Sequence, residues 1–491
     1  MKRRMLFMFA LALLPTVWTV SASAVTNNVV KVGLYYSSSA VSSVNAEYDD
    51  TTADAFSYGY YTAQRRFVPL GTIFEEDFLT VSADADTVYE GSLRSGSYMI
   101  CTSGGEFEGS GELSNFSNTA LGVLNRAGEL KLIFDYDGLQ HLALQAEGMG
   151  EIAPETWCRG NKYYGGFSYE RSVGGAISVY NMVELEDYVK GVLPYEMSNS
   201  WPLEALKAQA VCARTYVLSG HHSGFDVCST THCQVYKGVR TAGHGNTDEA
   251  VMATAGECMY YDGDLAVGYY YSCNGGATES SKNVWGNECG YLTGKPDPYE
   301  ALIASSVSSY NYTLSYTAES LTRRLQSKGY SIGTVRDMVV SAYTETGNVY
   351  SVTVTDTSGK SITLSGEKCR TVLGTNSQRF TINGTEAAGI SVNGTGTLTS
   401  MDGIAVISGS GTVRTLSGDD VLYMMTSGGT KPLSVALSGS SVESQNGDFV
   451  INGSGNGHNV GMSQWGAYAM AKQNFDYEDI LTFYFTDVEI R

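Results

Sequence analysis

The sequence predicts an α+β fold, with short strands and helices mixed along the chain. Short β-prone runs begin at residues 29–36, and residues 176–183 alternate apolar and polar side chains as a strand does. Residues 202–219 repeat their apolar side chains at helical spacing instead. The composition, with 56 Gly and only 8 Pro, favours many turns between short elements.

The elements fall into two parts. A small N-terminal module, β-rich or α+β and without a legible role, is predicted for residues 25–165. A second domain is predicted for residues 170–491. It begins with the strand at residues 176–183, a short helix at residues 184–191 and the helix at residues 202–219.

Local signals set the boundaries of the later elements. Pro202 suits the first turn of the clearest helix, where its missing N–H has no partner, and Gly220 suits the helix end. The Gly-, Ser- and Thr-rich residues 384–455 are predicted to form a β-type insertion. A helix around residues 463–472 and another after the N-cap residue Asp476 follow it.

Composition limits the class of function. The 491 residues carry 31 Lys and Arg against 51 Asp and Glu, a formal net charge of −20. Nucleic acid would repel such a chain unless basic residues were gathered in one patch, and they are scattered. A hydrophobic content of 43% excludes a wholly disordered chain. We therefore expect a folded protein that does not bind nucleic acid.

The first residues have the pattern of an export signal. Residues 2–4 are basic, residues 5–20 are mostly apolar, and Ala22 and Ala24 are small residues at the positions that a signal peptidase reads. We expect residues 1–24 to be removed, with an uncleaved N-terminal anchor as the alternative. No later segment is apolar and long enough to span a membrane. The expected location is secreted, in the cell wall or at the outer face of the membrane.

Glu196 is a candidate general acid. It precedes the helix at residues 202–219 and is predicted to lie on a loop that this helix positions. Its neighbours Leu193, Met197 and Trp201 are apolar and would exclude water. Loss of solvation favours the neutral carboxylic acid, which can donate a proton near neutral pH. The alternative is a solvated or capping glutamate that stabilises the helix dipole.

A cluster of cysteine and histidine is a candidate zinc site. Thiolate sulfur and imidazole nitrogen are preferred zinc ligands, and His222, Cys228 and Cys233 lie within one short segment. His232 and His221 compete for the histidine position. The fourth ligand is open between water, another side chain and a substrate group. A Cys228–Cys233 disulfide is the alternative, because exported chains permit it.

Several motifs occur in one order along the chain and resemble a single family. They are residues 192–216, residues 228–236, residues 272–278 (Ser-Cys-Asn-Gly-Gly-Ala-Thr), residues 370–380 and residues 457–467 (Gly-His-Asn-Val-Gly-Met-Ser-Gln-Trp-Gly-Ala). Together they resemble the stage II sporulation protein D family, which includes amidase-enhancer proteins of the LytB type. The resemblance covers residues 170–310, 365–383 and 455–491.

The resemblance implies a groove-bearing catalytic domain that acts as a lytic transglycosylase on bacterial peptidoglycan. Such enzymes cleave the MurNAc–GlcNAc bond without water and close the muramyl C6 hydroxyl onto its own anomeric carbon. The family's catalytic glutamate falls on Glu196, which would serve as both acid and base, whereas ordinary glycosidases use two carboxylates. The ligands of zinc-containing members fall near His222, Cys228 and Cys233.

The resemblance also assigns residues to the substrate groove: Gln234, Tyr236, Ser272, Gly275, Gly276, Thr278, His458, Ser463 and Gln464. The glycines would let the backbone approach the sugar closely. A structural role is the alternative for each, since glycine turns and hydrogen-bonded loop histidines are common. Asn459 stands where family members often carry Gly, and Asn also tolerates left-handed backbone.

Two other functions fit the sequence. The chain could be a non-catalytic wall binder that enhances an N-acetylmuramoyl-L-alanine amidase. It could also be an adhesin or matrix protein, as its Tyr-, Ser- and Gly-rich composition suggests. The presence of Glu196 favours the enzyme. The expected partners are peptidoglycan glycan strands and, for the enhancer, an amidase.

Overall fold

The computed structural model describes residues 28–83, 98–109, 117–136, 140–150, 153–172, 174–240, 242–308, 310–383 and 448–491, and the backbone of six short strands between residues 390 and 433. The predicted signal peptide, residues 1–24, lies outside the described residues, as does most of the predicted insertion at 384–455. The predicted α+β class is confirmed. In the described part of the chain, no helix is long and apolar enough to cross a membrane.

Strands dominate the described N-terminal part. In chain order they are β1 (Val29–Tyr35), β2 (Ser43–Tyr48), β3 (Ala53–Tyr61), β4 (Phe67–Phe74), β5 (Phe78–Ser82), β6 (Tyr98–Thr102), β7 (Gly105–Gly109), β8 (Leu121–Asn125), β9 (Leu130–Asp135), β10 (Leu142–Gly148), β11 (Glu155–Cys158), β12 (Asn161–Tyr164), β13 (Gly166–Arg171) and β14 (Ile177–Glu184). Alternation explains them. In β2 the side chains of Val44, Ala46 and Tyr48 are buried, and those between them are not.

Helices and short strands alternate after β14. In chain order they are α1 (Leu185–Glu196), α2 (Leu203–Leu218), β15 (Val227–Cys228), α3 (Gly245–Ala253), β16 (Met259–Tyr261), β17 (Asp264–Leu265), β18 (Tyr270–Tyr271), α4 (Ser281–Trp285), β19 (Asn311–Thr317), α5 (Ala318–Ser327), β20 (Val335–Tyr343), β21 (Val349–Asp356), β22 (Ser361–Ser365), α6 (Glu367–Leu373), β23 (Phe380–Ile382), β24 (Ile390–Val392), β25 (Gly396–Leu398), β26 (Ala405–Ile407), β27 (Val413–Thr415), β28 (Leu422–Thr426), β29 (Gly429–Leu433), β30 (Asp448–Ser454), β31 (Met462–Ser463), α7 (Gln464–Lys472), α8 (Tyr477–Tyr484) and β32 (Glu489–Ile490). Short 3₁₀ helices lie at Ser37–Ser39 and Glu300–Ser306.

The helix ends follow the predicted signals. Pro202 is the N-cap of α2, and the side chains of Ser463 and Asp476 cap α7 and α8 by accepting the backbone N–H three residues further along the chain. Helix α2 is buried on almost every side, and its alanines let neighbouring elements pack closely around it. Its Arg214 is fully buried and pairs with Glu186 of α1, with nitrogen–oxygen distances of 2.9 and 2.7 Å. The helix predicted at residues 202–219 is therefore confirmed.

Two large sheets form the N-terminal half. One has the order β15-β1-β14-β13-β10-β3-β4, and the other has the order β12-β11-β2-β5-β8-β9-β6-β7. Strand β1 pairs with β14 antiparallel and with β15 parallel. One hydrophobic cluster continues from both sheets to α2 and α8. The boundary predicted between residues 25–165 and 170–491 thus falls inside one sheet and one core.

A second hydrophobic cluster belongs to residues 311–382 and 448–451. Strand β30 lies between β19 and β23, so residues 139 positions apart, Thr313 and Asn452, are partners. The predicted core segment at residues 370–380 lies here. The buried Glu279 joins this unit to the larger core, because its Oε2 accepts hydrogen bonds of 2.6 Å from the hydroxyls of both Thr344 and Thr346.

Candidate functional site

Glu196 is the last residue of α1, where the sequence predicted a loop. The predicted helix at residues 184–191 ended too early, because the helix continues through Pro194, although proline lacks an N–H and normally breaks a helix interior. Here Pro194 lies in the final turn, and its carbonyl accepts a hydrogen bond of 2.6 Å from Nη1 of Arg240. The backbone N–H of Met197 still bonds to the carbonyl of Leu193 at 2.9 Å. Glu196 is therefore fixed by a helix end.

The Glu196 carboxylate is partly buried and has few partners. Its Oε1 accepts a hydrogen bond of 3.0 Å from the backbone N–H of Val235, and its Oε2 lies 3.5 Å from Nε2 of Gln464. Burial raises the pKa of Glu196, and the hydrogen bonds from Val235, the Tyr270 hydroxyl and Gln464 oppose that rise without cancelling it. The shift is towards the neutral acid, which is the form that donates a proton.

Side chains with amide and phenol groups lie on two sides of Glu196 and contact one another. The Tyr188 hydroxyl donates to Oε1 of Gln234 at 2.8 Å, and Nε2 of Gln234 donates to the Tyr270 hydroxyl at 3.2 Å. On the other side, Nε2 of Gln464 lies 3.5 Å from Oε1 of Gln209. The buried Nε2 of Gln209 has no hydrogen-bond partner among the described residues. The structure thus brings together Gln234, Gln464 and Glu196, three predicted site residues.

Sequence reasoning missed Gln209 and Tyr270. The signal for Gln209 was available, because it is a polar residue among the buried alanines of α2. Tyr270 carried no such signal, since it stands in a run of three tyrosines, residues 269–271, and only the fold selects the one whose hydroxyl points at the carboxylate.

Tyr236 and Thr278 lie in the interior instead of a groove. Tyr236 is 2% exposed, stacks on Tyr188 with ring centroids 4.9 Å apart, and donates to Oδ1 of Asn181 at 2.6 Å. Thr278, also 2% exposed, exchanges hydrogen bonds of 2.8 and 3.3 Å with the backbone of Lys295. The polar atoms of both side chains form hydrogen bonds inside the fold.

His458 holds the backbone of Tyr270. Its Nδ1 accepts from the N–H of Val460 at 3.2 Å, so Nε2 carries the proton and donates to the carbonyl of Tyr270 at 3.1 Å. Burial and then the charge of Arg370 lower the pKa of His458 to about 4, although the bond to Tyr270 opposes this. His458 is therefore neutral near pH 7. The next residue, Asn459, has φ of +65°, which agrees with the left-handed backbone expected there.

A second buried carboxylate, Glu300, holds the turn at residues 272–278. It accepts hydrogen bonds from the N–H groups of Asn274 at 2.9 Å and Gly275 at 2.8 Å, and from the Ser463 hydroxyl. Burial raises the pKa of Glu300 to about 7 against these bonds. No pattern in the sequence indicated Glu300.

The predicted residues Ser272, Gly275 and Gly276 stabilise the conformation of this turn. Gly275 has φ of +72°, and a Cβ there would come within 2.5 Å of the Ser454 backbone. Gly276 donates to Oδ1 of Asn274 at 2.6 Å. The carbonyl of Ser272 accepts from the N–H of Trp465 at 3.0 Å and so joins the turn to α7.

Four side chains form a cluster that fits a metal ion. The ligand atoms of His222, Cys228, His232 and Cys233 all lie within 4.8 Å of one another. Nε2 of His222 is 3.2 Å from Sγ of Cys233, and Nδ1 of His232 is 3.5 Å from the same sulfur. Two sulfurs and two nitrogens are the ligand set of tetrahedral structural zinc sites. The donor chemistry therefore fits zinc.

The structure separates the two competing histidines. His221 stacks on Tyr216 with centroids 3.8 Å apart, and its Nε2 lies 2.8 Å from the Tyr216 carbonyl, outside the cluster. None of the nine cysteines, all of them in the described part of the chain, is in a disulfide, so Cys228 and Cys233 are not bonded to each other. Burial disfavours the Cys228 thiolate, but hydrogen bonds from Thr230 and Cys233 outweigh it and lower the pKa of Cys228 to about 6.

Strand β1 holds in place the loop that carries Cys228, His232 and Cys233. Strand β15 pairs with β1 so that Cys228 lies beside Gly33. Next to it, Arg65 forms a bidentate ion pair with Asp226, with Nη2 and Oδ1 at 2.6 Å. The loop ends at Cys233 and leads directly to Val235, which donates to Glu196. The cluster and the candidate acid are thus connected through two residues of backbone.

Comparison with known proteins agrees with the motif order. The family model described as stage II sporulation protein (SpoIID) matches residues 173–261. An uncharacterised protein of Brachyspira hyodysenteriae is 30% identical over 339 residues, which cover 67% of this chain and 73% of that protein. The stage II sporulation protein D of Bacillus subtilis is 25% identical over 63% of this chain and 74% of its own length. The amidase enhancer of Bacillus subtilis is 32% identical over 60% of this chain, and the matched region spans only 39% of that relative.

Proposed function

The chain belongs to the stage II sporulation protein D family, and from that premise we propose that it is a lytic transglycosylase of peptidoglycan glycan strands. Glu196 acts as the general acid and base, in cell-wall remodelling during sporulation or growth. The observation that carries the proposal is the Glu196 carboxylate. It is fixed by a helix end, has a raised pKa, and has fewer partners than its oxygens can accept.

Glu196 supplies every proton that the reaction needs. The neutral acid donates to the glycosidic oxygen as the bond to the muramyl anomeric carbon breaks, which releases the N-acetylglucosamine hydroxyl. The resulting carboxylate accepts the proton of the muramyl C6 hydroxyl as that oxygen bonds to the anomeric carbon. The proton returns to Glu196, and no water is consumed. One carboxylate therefore suffices, whereas a glycosidase uses two.

The neighbours of Glu196 set the pKa and the orientation of its carboxylate. The N–H of Val235 holds one oxygen, and the amide of Gln464 lies beside the other. Tyr270, positioned by Gln234 and His458, limits the rise of the pKa. His222, Cys228, His232 and Cys233 would hold a zinc ion, which would stabilise the loop that carries Val235.

The alternative is a non-catalytic wall protein that enhances an amidase. The similarity to the amidase enhancer of Bacillus subtilis supports it. In either case we propose that the chain is exported through the signal at residues 1–24 and works in the wall or at the outer face of the membrane.

Glycan strands freed of stem peptides separate the two functions. Purified wild-type protein is incubated with such strands, and the products are identified by mass spectrometry. We expect anhydro-muramyl ends from the wild type and a loss of at least 10²-fold in the variant Glu196→Gln. Wild-type protein that forms no such ends, yet accelerates an amidase, would establish the enhancer instead.

A further inference from the structure

Three aromatic rings form a cluster beside Glu196. The ring centroids of Trp201 and Trp465 are 4.6 Å apart, those of Trp201 and Tyr468 are 5.1 Å apart, and those of Trp465 and Tyr468 are 5.4 Å apart. All three residues are half-buried, so part of each stays open to solvent. We name these three residues the aromatic cluster.

The aromatic cluster lies on the elements that hold the acid. Trp201 lies in the short connection between α1, which ends at Glu196, and α2. Trp465 follows Gln464, whose Nε2 is 3.5 Å from Oε2 of Glu196, and Tyr468 lies one helical turn further along α7. The elements that hold the acid therefore also carry the rings.

The polar tips of the aromatic cluster are unpaired. Among the described residues, neither indole N–H of Trp201 and Trp465 nor the Tyr468 hydroxyl forms a hydrogen bond, although Nζ of Lys472 lies 5.6 Å from the Tyr468 ring centroid. Other large aromatics of this core behave differently, since Tyr188 and Tyr484 donate to Gln234 and Asp297. Buried Trp and Tyr usually find a partner for their N–H or O–H. Open rings with free donors suit a ligand that has both apolar faces and hydroxyl groups.

We propose that the aromatic cluster is a saccharide subsite adjoining Glu196. The C–H face of a pyranose packs on the exposed ring surface, and its hydroxyls accept hydrogen bonds from the free indole N–H groups. This inference rests on the proposed function for the choice of a glycan strand as ligand. Binding at the subsite does not require Glu196 to react.

Binding is measured by calorimetry with peptide-free glycan strands, in the Glu196→Gln background so that nothing turns over. We expect Trp465→Ala and Tyr468→Ala each to weaken binding about tenfold, close to 1.4 kcal/mol. The matched control is Trp157→Ala, whose ring lies in β11 under Lys162 and away from the acid. Folded Trp465→Ala and Tyr468→Ala variants that bind as tightly as the control overturn the proposal.

Fluorescence gives a second measurement if an alanine variant fails to fold. The strands should change the tryptophan emission of the Glu196→Gln protein. Trp465→Phe and Trp201→Phe should reduce that change, and Trp157→Phe should preserve it. An emission change that survives in both Trp465→Phe and Trp201→Phe overturns the proposal.

The outcomes also separate this inference from the proposed function. Ring-dependent binding without anhydro products from the wild type supports the subsite and contradicts the enzyme. Anhydro products with ring-independent binding support the enzyme and contradict the subsite.

Discussion

Glu196 and Glu300 are two glutamates with raised pKa, and the chain holds them in different ways. Glu300 is 0% exposed, and its two oxygens accept from two backbone N–H groups and the Ser463 hydroxyl. Glu196 is partly exposed, and it accepts hydrogen bonds from one backbone N–H, of Val235, and from the side chains of Tyr270 and Gln464. A raised pKa is therefore not enough to identify a catalytic acid. Glu300 stabilises a turn inside the core, whereas Glu196 lies at a helix end that is partly open to solvent.

The supports of the two carboxylates differ as well. Glu196 depends on the loop that ends at Cys233, and therefore on the metal cluster and β1. Glu300 depends on a turn that is joined to α7 by hydrogen bonds and by the packing of Trp465 against the cluster that contains Cys273. The predictions that follow test this contrast, beginning with the largest expected effect.

Loss of the metal should disturb the Glu196 region most. We expect one zinc per chain in the wild type, and chelation to lower the free energy of unfolding by about 3 kcal/mol or more, because metal binding contributes to folding. His232→Ala should lose the metal, whereas its matched control His221→Ala should keep it, since His221 packs on Tyr216. Metal analysis and urea unfolding measure both. A wild type without zinc and with a Cys228–Cys233 disulfide would contradict this assignment.

Stability should depend on pH through Glu300. Its pKa is about 7 in the folded chain against 4.5 for an ordinary glutamate, so the folded state binds the extra proton. The contribution of Glu300 is then fully present below pH 4.5 and is lost as pH rises through 7, by about 3 kcal/mol. The unfolding free energy of the wild type, relative to Glu300→Gln, should fall accordingly between pH 4.5 and 7.5 in urea titrations.

The control for that titration is Glu288→Gln, because the Glu288 side chain is 72% exposed. Its curve should parallel the wild type at every pH. Equal slopes for Glu300→Gln and Glu288→Gln would mean that Glu300 does not titrate in this range.

The pH profile of activity should respond to Gln464. Its amide favours the charged form of Glu196, so Gln464→Leu should raise the pKa of Glu196 further. A general acid works when protonated, and the fall of kcat/KM at high pH should therefore move upward by up to about one pH unit. Gln473→Leu, at the exposed end of α7, is the control and should leave the profile in place. A downward shift in Gln464→Leu would contradict the acid role.

The smallest expected effect is on the stability of the Glu196→Gln variant. Glu196 is partly solvated and accepts one backbone hydrogen bond, so its free energy of unfolding should change by about 1 kcal/mol or less. Glu300→Gln places an amide N–H against donors in a sealed site and should cost more at pH 5, about 2 kcal/mol. Thermal unfolding of the two variants side by side at pH 5 measures this order. The reverse order would undermine the contrast between the two sites.

Local signals predicted local structure well. Helices α2, α7 and α8 follow from apolar spacing and from capping by Pro202, Ser463 and Asp476, all of which act within one turn. The structure also brings together Glu196, Gln234 and Gln464, which the resemblance assigned to one site. The end of α1 was predicted too early. The Pro194 carbonyl accepts a hydrogen bond from Arg240, which lies in a distant segment, and local sequence patterns do not reveal such a partner.

Long-range partners were not predictable. No pattern in the sequence shows that β30 returns to pair with β19, or that β1 joins β14 and β15. For the same reason the sequence could not choose between His221 and His232. Tyr236, assigned to the groove by resemblance, is buried, and its hydroxyl donates a hydrogen bond to Asn181.

The most direct test of the central claim, that Glu196 is the catalytic acid, is the rate of anhydro-muramyl end formation on peptide-free strands at neutral pH. The wild type should form these ends, and a Glu196→Gln protein shown to be folded by thermal unfolding should form them at least 10²-fold more slowly. A folded Glu196→Gln variant with the wild-type rate would contradict the claim.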